Sequence, residues 1–312
     1  MAASSVVIVT GSDLAQEAQD LLKNHQIIYA GKQPSEEDLY QLCKKYDPVA
    51  IIVRYGKINA RIMDAAPRLR VISKHGSGID VIDIQAAGAR NISVQSAPGA
   101  NAAAVAEHAW TMILACAKSV LTLDRRLRKG YWDKSTHKSL ELEGRTLGLV
   151  GLGAIGGRVA TIGQAFGMNV IAFDPYAKTF PQGCKSASLT GLLQHADVIS
   201  LHCPLTEQTQ KMINSEALSQ CKQGAILVNT ARGGLIDDEA LLQALNSGKI
   251  SWAALDSFTV EPLTAPNIWQ DVDNVILSPH IGGVSDASYI KMGTTAASNV
   301  LKVLSESEGV LP

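Results

Sequence analysis

The sequence predicts an α/β protein of two doubly wound parallel-sheet domains, and three observations carry that prediction. Short β-branched runs alternate with helical patterns in two separate series, which is how parallel sheets covered on both faces read in sequence. A Pro98-Gly99 break and a long Ala-rich stretch separate the two series. At 312 residues the chain is long enough to bury two cores.

The first series opens with an apolar strand, Val6–Val9, followed by an amphipathic helix over 14–24. Further strands are expected over 27–30, 49–53, 70–73 and 92–94, with helices near 36–46, 58–65 and 80–89. Ser35 followed by Asp38 has the pattern of a capping box for the second helix. One helix over roughly 101–128 is expected to link the domains. The second series places strands over 146–150, 169–173, 198–202, 225–229, 252–255 and 275–277, the six of a complete dinucleotide domain. A last helix, about 285–305, is expected to return to the first domain. The expected division is therefore 1–98 plus 285–312 for one domain and 99–284 for the other.

Bulk properties narrow the function. A formal net charge of -1 gives no electrostatic reason for a nucleic-acid or membrane-surface partner. No apolar stretch reaches membrane-spanning length, and Met1 to Ser5 lack the basic start of a signal peptide. Cys43, Cys116, Cys184, Cys203 and Cys221 are scattered without metal-site spacing, which suits a reducing cytoplasm and no metal. Small-molecule chemistry is favoured.

Gly151-Leu152-Gly153-Ala154-Ile155-Gly156 follows an apolar strand and opens a helix, and a second strand ends at Asp174. In that setting Gly151 permits a tight turn and Gly153 lets the backbone approach a pyrophosphate. Gly156 allows close helix packing, with the helix N-terminus facing the phosphates. Asp174 would accept from ribose hydroxyls and repel a 2′-phosphate, so NAD (NADH) is preferred over NADP. A glycine turn that binds no nucleotide is the competing reading.

Arg232, Glu261 and His280 lie at or just after carboxyl ends of predicted strands, where doubly wound sheets place ligands. Arg232, among small residues and glycines, can approach a carboxylate with two prongs, or can be a surface ion pair. His280 leaves a strand into the Ile281-Gly282-Gly283 loop and can exchange a proton with a carbonyl or alcohol oxygen, or can be a hydrogen-bonded loop histidine. Glu261 could cap or be solvated; in contact with His280 it would fix the imidazole tautomer. His75 sits in Lys74-His75-Gly76-Ser77-Gly78, whose backbone amides could hold a carboxylate. His108, inside a helix, and His202, at a strand end, are less persuasive on position alone.

At these motifs the chain resembles the D-isomer-specific 2-hydroxyacid dehydrogenases over nearly its whole length. The matching segments are His75 to Asp80, Asn101 with Ala104 to His108, the glycine turn, and His202 to Thr206. The Arg232 segment, Ala254 through Pro262, and Ser278-Pro279-His280 complete the set. The resemblance implies a flavodoxin-like substrate domain and a Rossmann NAD-binding domain, usually dimeric through the latter. It implies interconversion of a small polar D-2-hydroxy acid and its 2-keto acid by hydride transfer. His280 would be the acid/base, Glu261 its partner and Arg232 the anchor of the substrate carboxylate and carbonyl. The implied cofactor site comprises Gly151, Gly153, Ala154, Ile155, Gly156, Asp174, His202, Pro204, Thr209, Thr230, Ala231, Arg232, Asp256, His280 and Gly283, with Asp256 on the nicotinamide carboxamide. The implied substrate site comprises Arg54, Lys74, His75, Gly76, Ser77, Gly78, Asn101, Arg232 and His280, with a polar tail preferred to a bare methyl. An NADH-sensing corepressor on the same fold is the rival reading. Formate oxidation fits less well, because its histidine pairs with glutamine and Glu261 is an acid.

Overall fold

A computed structural model of the protein describes residues 5–308. The chain divides into two compact units, one of Met1–Asn101 with Val284–Pro312 and one of Ala102–Gly283. Residues 1–4 of the N-terminal reading, and 309–312 of the expected first domain, lie outside the described residues.

In the first unit, β1 (Val6–Val9), β2 (Gln26–Tyr29), β3 (Ala50–Val53), β4 (Val71–Lys74) and β5 (Ser93–Gln95) form a parallel sheet in the order β2-β1-β3-β4-β5. This is the flavodoxin-like order. Strands β1 and β3 are buried along their length, and alternate side chains feed two apolar layers. Ile8, Ile51, Val53 and Ile72 pack with Leu39, Ile62 and Met63 on one face. Val7, Val9, Ile52 and Val71 pack with Ala18, Leu22, Ala296, Ala297 and Val300 on the other. The last three belong to the final helix, Asp286–Glu308, so the returning helix completes the second face. The connecting helices are α1 (Gln16–Leu21), α2 (Glu36–Tyr46), α3 (Ala60–Asp64) and α4 (Ile84–Ala89). Ser35 caps α2 in a full capping box, its hydroxyl accepting from the Asp38 amide at 3.1 Å.

The second unit holds β6 (Thr146–Val150), β7 (Asn169–Phe173), β8 (Cys184–Ser186), β9 (Val198–Leu201), β10 (Ala225–Asn229), β11 (Ile250–Leu255) and β12 (Val275–Leu277). They form one parallel sheet ordered β12-β11-β10-β9-β6-β7-β8. Counted from β6, that is the 3-2-1-4-5-6 order of a dinucleotide domain with a seventh strand added. The six-strand expectation missed β8, a three-residue edge strand whose Lys185 and Ser186 are exposed; so short and polar a segment carries no periodic signal.

The expected single helix over 101–128 is two helices, α5 (Ala102–Lys118) and α6 (Val120–Arg128), broken where Ser119 takes a left-handed backbone with φ 51. Nor is α5 a linker. It belongs to the second unit, where Ala106, Ala109, Trp110 and Ile113 are core beside Leu147, Val159 and Val170. The Trp110 indole N–H donates to the Val159 carbonyl at 3.2 Å. The remaining helices are α7 (Ala154–Ala165), α8 (Leu189–His195), α9 (Ser215–Gln220) and α10 (Asp238–Asn246), which makes the final helix α11.

Candidate active site

The carboxyl ends of the second unit's strands carry the residues that the sequence singles out. The sheet reverses order between β6 and β9, the switch point at which doubly wound sheets bind ligands. There β6 runs into the glycine turn. Gly151 has φ 97, and a Cβ on it would lie 2.8 Å from the backbone of His202 and Cys203. A Cβ on Gly156 would lie 2.2 Å from the Gly151 carbonyl oxygen. Gly156 therefore serves the turn itself more than the helix-to-strand packing that its position suggests.

Gly153 differs, because a Cβ there would meet nothing within 4 Å. It is also the N-cap of α7 and supplies no side-chain cap, whereas α3, α4, α8, α9 and α10 are capped by Asn59, Asp83, Ser188, Asn214 and Asp237. An open approach to uncapped amides fits a pyrophosphate. Asp174, one residue beyond β7, accepts from the Leu152 amide at 2.7 Å with one oxygen and from the Tyr176 and Ala177 amides with the other. The expected ribose acceptor thus also ties the glycine turn to the end of β7. Among the described residues, buried polar atoms stand without a protein partner after three neighbouring strands: His202 Nδ1 after β9, Thr230 Oγ1 after β10 and Ser257 Oγ after β11. Such atoms ask for a bound group. These features fit a dinucleotide.

His280, Glu261 and Arg232 come together. His280 Nδ1 lies 2.7 Å from Glu261 Oε2, and Glu261 Oε1 accepts from the Phe258 amide at 2.9 Å. Burial pushes the Glu261 carboxyl up, but the His280 and Phe258 hydrogen bonds and the nearby Arg232 charge outweigh it and hold the group below its ordinary value. The carboxylate is therefore charged at neutral pH. With Nδ1 engaged, the ring nitrogen left for a ligand is Nε2. His280 has φ 54, a left-handed conformation uncommon for histidine and found at sites where the fold over-determines a residue. Arg232 Nη1 donates to the Ala231 carbonyl at 2.8 Å, while the Asn229 side chain grips the Arg232 carbonyl and the Ala231 amide.

What holds His280 is a buried network that the sequence does not announce. Asp256, 1% exposed, accepts from the Ser278 hydroxyl, from the Ile281 amide at 3.0 Å and from the Gly282 amide at 2.8 Å. His108 Nε2 lies 2.9 Å from Ser278 Oγ and 3.3 Å from Asp256 Oδ1. Asp256 thus ties down the backbone flanking His280. His108, discounted as an interior helix residue, is a partner of that carboxylate.

Of the other expected cofactor residues, Ala154 and Ile155 form the first turn of α7. Thr209 folds back on its own loop, its hydroxyl donating to the exposed Pro204 carbonyl at 2.7 Å. Gly283 follows the Asp256-bound amides in sequence.

The expected substrate residues of the first unit divide differently. Gly76, with φ 144, Ser77 and Gly78 form the loop after β4, and the Ser77 hydroxyl donates to Asn101 Oδ1 at 3.2 Å. The His75 ring is 9% exposed and its Nε2 is buried without a partner among the described residues. Burial and the Arg54 charge lower its pKa to about 4, so the ring is neutral at physiological pH and supplies no cation. Arg54 and Lys74 stand at the ends of β3 and β4, each already engaged with protein atoms.

Comparison with known proteins matches residues 110–282 to the family described as D-isomer specific 2-hydroxyacid dehydrogenase, NAD binding domain. The chain is 39% identical over 294 residues to a hydroxypyruvate reductase of Thermotoga maritima, covering 93% of this chain and 96% of that one. It is 38% identical over 304 residues to a D-3-phosphoglycerate dehydrogenase of Methanocaldococcus jannaschii, covering 96% of this chain but 57% of that one. A D-lactate dehydrogenase of Aquifex aeolicus, solved with NAD and lactic acid, superposes with a TM-score of 0.84 at 31% identity, covering 97% of this chain and 96% of that one. Among the described residues no helix is long and apolar enough to cross a membrane.

Proposed function

Because this chain belongs to the D-isomer-specific 2-hydroxyacid dehydrogenases and carries their NAD-binding domain, we propose that it interconverts a small polar D-2-hydroxy acid and its 2-keto acid at His280, Glu261 and Arg232. The observation that carries this reading is the 2.7 Å contact of His280 Nδ1 with Glu261. Bound NAD would supply the hydride acceptor, and NADH the donor; Gly151, Gly153, Gly156 and Asp174 are the residues to hold it. The chain's own part is acid–base and electrostatic. Arg232 fixes the substrate carboxylate and polarises the carbonyl. His280, its Nδ1 held by Glu261, gives its Nε2 proton to the carbonyl oxygen during reduction and recovers it during oxidation.

A screen of NADH oxidation across glyoxylate, pyruvate, hydroxypyruvate, phosphohydroxypyruvate and branched or aromatic 2-keto acids tests this. Turnover is expected with at least one polar member, and with NADH in preference to NADPH because Asp174 opposes a 2′-phosphate. Binding of NADH without turnover of any member would leave a sensor in place of an enzyme.

We further propose a cytoplasmic homodimer. Helix α6 has no buried residue, and Val120, Leu121, Leu127, Tyr131 and Trp132 are exposed over one short stretch, Trp132 by 76%. So large an apolar cluster supports a partner surface, and a second copy is the partner that every preparation contains. Sedimentation at twice the chain mass is expected, and a monomer at micromolar concentration would remove this reading.

A further inference from the structure

An imidazole carried on a left-handed backbone stays in place only while the chain on either side of it is held. Around His280 both sides run to one carboxylate. Ser278, two residues before it, donates its hydroxyl proton to Asp256 Oδ1, and the Ile281 and Gly282 amides, directly after it, donate to Oδ1 and Oδ2. The Ser278 amide also donates to the Leu255 carbonyl at 3.0 Å, which fastens the segment to the end of β11. A Cβ on Gly282 would lie 2.8 Å from Asp256 Oδ2 and 3.2 Å from His108 Cδ2. Loop, carboxylate and a second imidazole are therefore packed together without room for a methyl group.

His108 enters this cluster from α5. Val105, Ala109, Met112 and Cys116 form a buried stripe along that helix, and His108 sets a polar ring beside it. Proton counting fixes what the ring does there. Ser278 has one hydroxyl proton, which goes to Asp256, so its oxygen can only accept from His108. His108 Nε2, 2.9 Å away, therefore carries a hydrogen and donates it. The donors run in series from His108 through Ser278 to Asp256, and each bond polarises the next. The carboxylate at the end of the series is buried, so its position depends on every donor that reaches it. All these residues belong to the second unit.

Resting on the proton transfer assigned to His280 above, we propose that His108 is a positioning residue of the reaction. Acting through Ser278, it orients the carboxylate that holds the chain on both sides of His280. It touches neither substrate nor the reacting atoms, and its effect falls on the placement of the His280 ring.

The test compares His108→Leu, which removes the donor, with His108→Gln, whose amide N–H can replace it. In 2-keto acid reduction His108→Leu is expected to lower kcat by about ten- to a hundredfold with KM and NADH affinity nearly unchanged, and His108→Gln to restore most of the loss. On a Ser278→Ala background His108→Leu should cost nothing further, because the link through which it acts is already gone. A wild-type kcat in His108→Leu, a loss that Gln does not restore, or a loss that persists in full on the Ser278→Ala background overturns the inference. The side-chain NMR resonance of His280, identified by its disappearance in His280→Asn, reads the same displacement without turnover. It is expected to move in His108→Leu and to return in His108→Gln, and an unmoved resonance overturns the inference while leaving the enzymatic reading in place. Absence of wild-type turnover with every 2-keto acid, with the resonance moving as expected, overturns the enzymatic reading and leaves the hold of His108 on His280.

Discussion

Replacing His280 by Asn is expected to lower kcat for 2-keto acid reduction by about two to four orders of magnitude, the range spanned by loss of a general acid. That corresponds to about 3–5 kcal/mol of transition-state stabilisation. NADH affinity should be nearly unchanged, since the glycine turn after β6 and Asp174 after β7 stand at other strand ends. Asn is a better probe than Ala. His280 holds φ 54, and Asn tolerates the left-handed region where Ala would add backbone strain to the chemical loss. Full activity in this variant, measured with NADH binding confirmed by fluorescence, would remove His280 from the reaction.

Gly233→Ala is expected to lower kcat by about a hundredfold, although Gly233 carries no functional group. A Cβ at this position would lie 2.0 Å from the Phe258 carbonyl carbon and 2.3 Å from the Thr259 amide nitrogen. No rotamer relieves a clash with backbone, so one segment must move by about an ångström, a displacement that costs on the order of a hundredfold when it misplaces catalytic groups. The two segments in question are those that matter. Gly233 follows Arg232 directly, and the Phe258 amide is the group that holds Glu261 Oε1. The variant should therefore separate Arg232 from the Glu261–His280 pair while the glycine turn keeps its NADH affinity. Unchanged kcat would show that this close approach is packing alone.

What could be read from the sequence follows from the range over which each feature is encoded. The buried central strands, such as Val198–Leu201 and Ala225–Asn229, are buried on both faces and stand out as mostly apolar runs. The α2 capping box and the glycine turn are local patterns with local consequences. Three features are not local. Ser119 breaks a helix without Gly or Pro to mark it, so the Ala-rich stretch reads as one element. The His108–Ser278 contact joins residues 170 apart, and Tyr289–Asp13 joins residues 276 apart. No spacing rule reaches that far. The consequence for the site is systematic: Arg232, Glu261 and His280 were visible as strand-end residues, whereas the groups that hold site residues, Asp256 and His108, needed the fold.

The most direct test of the account is chiral analysis of the product formed from hydroxypyruvate and NADH by the purified chain. It predicts NADH oxidation that yields D-glycerate alone, with the rate collapsing in His280→Asn. Formation of the L-isomer, or an NADH-bound protein that leaves hydroxypyruvate and the other 2-keto acids untouched, would contradict it.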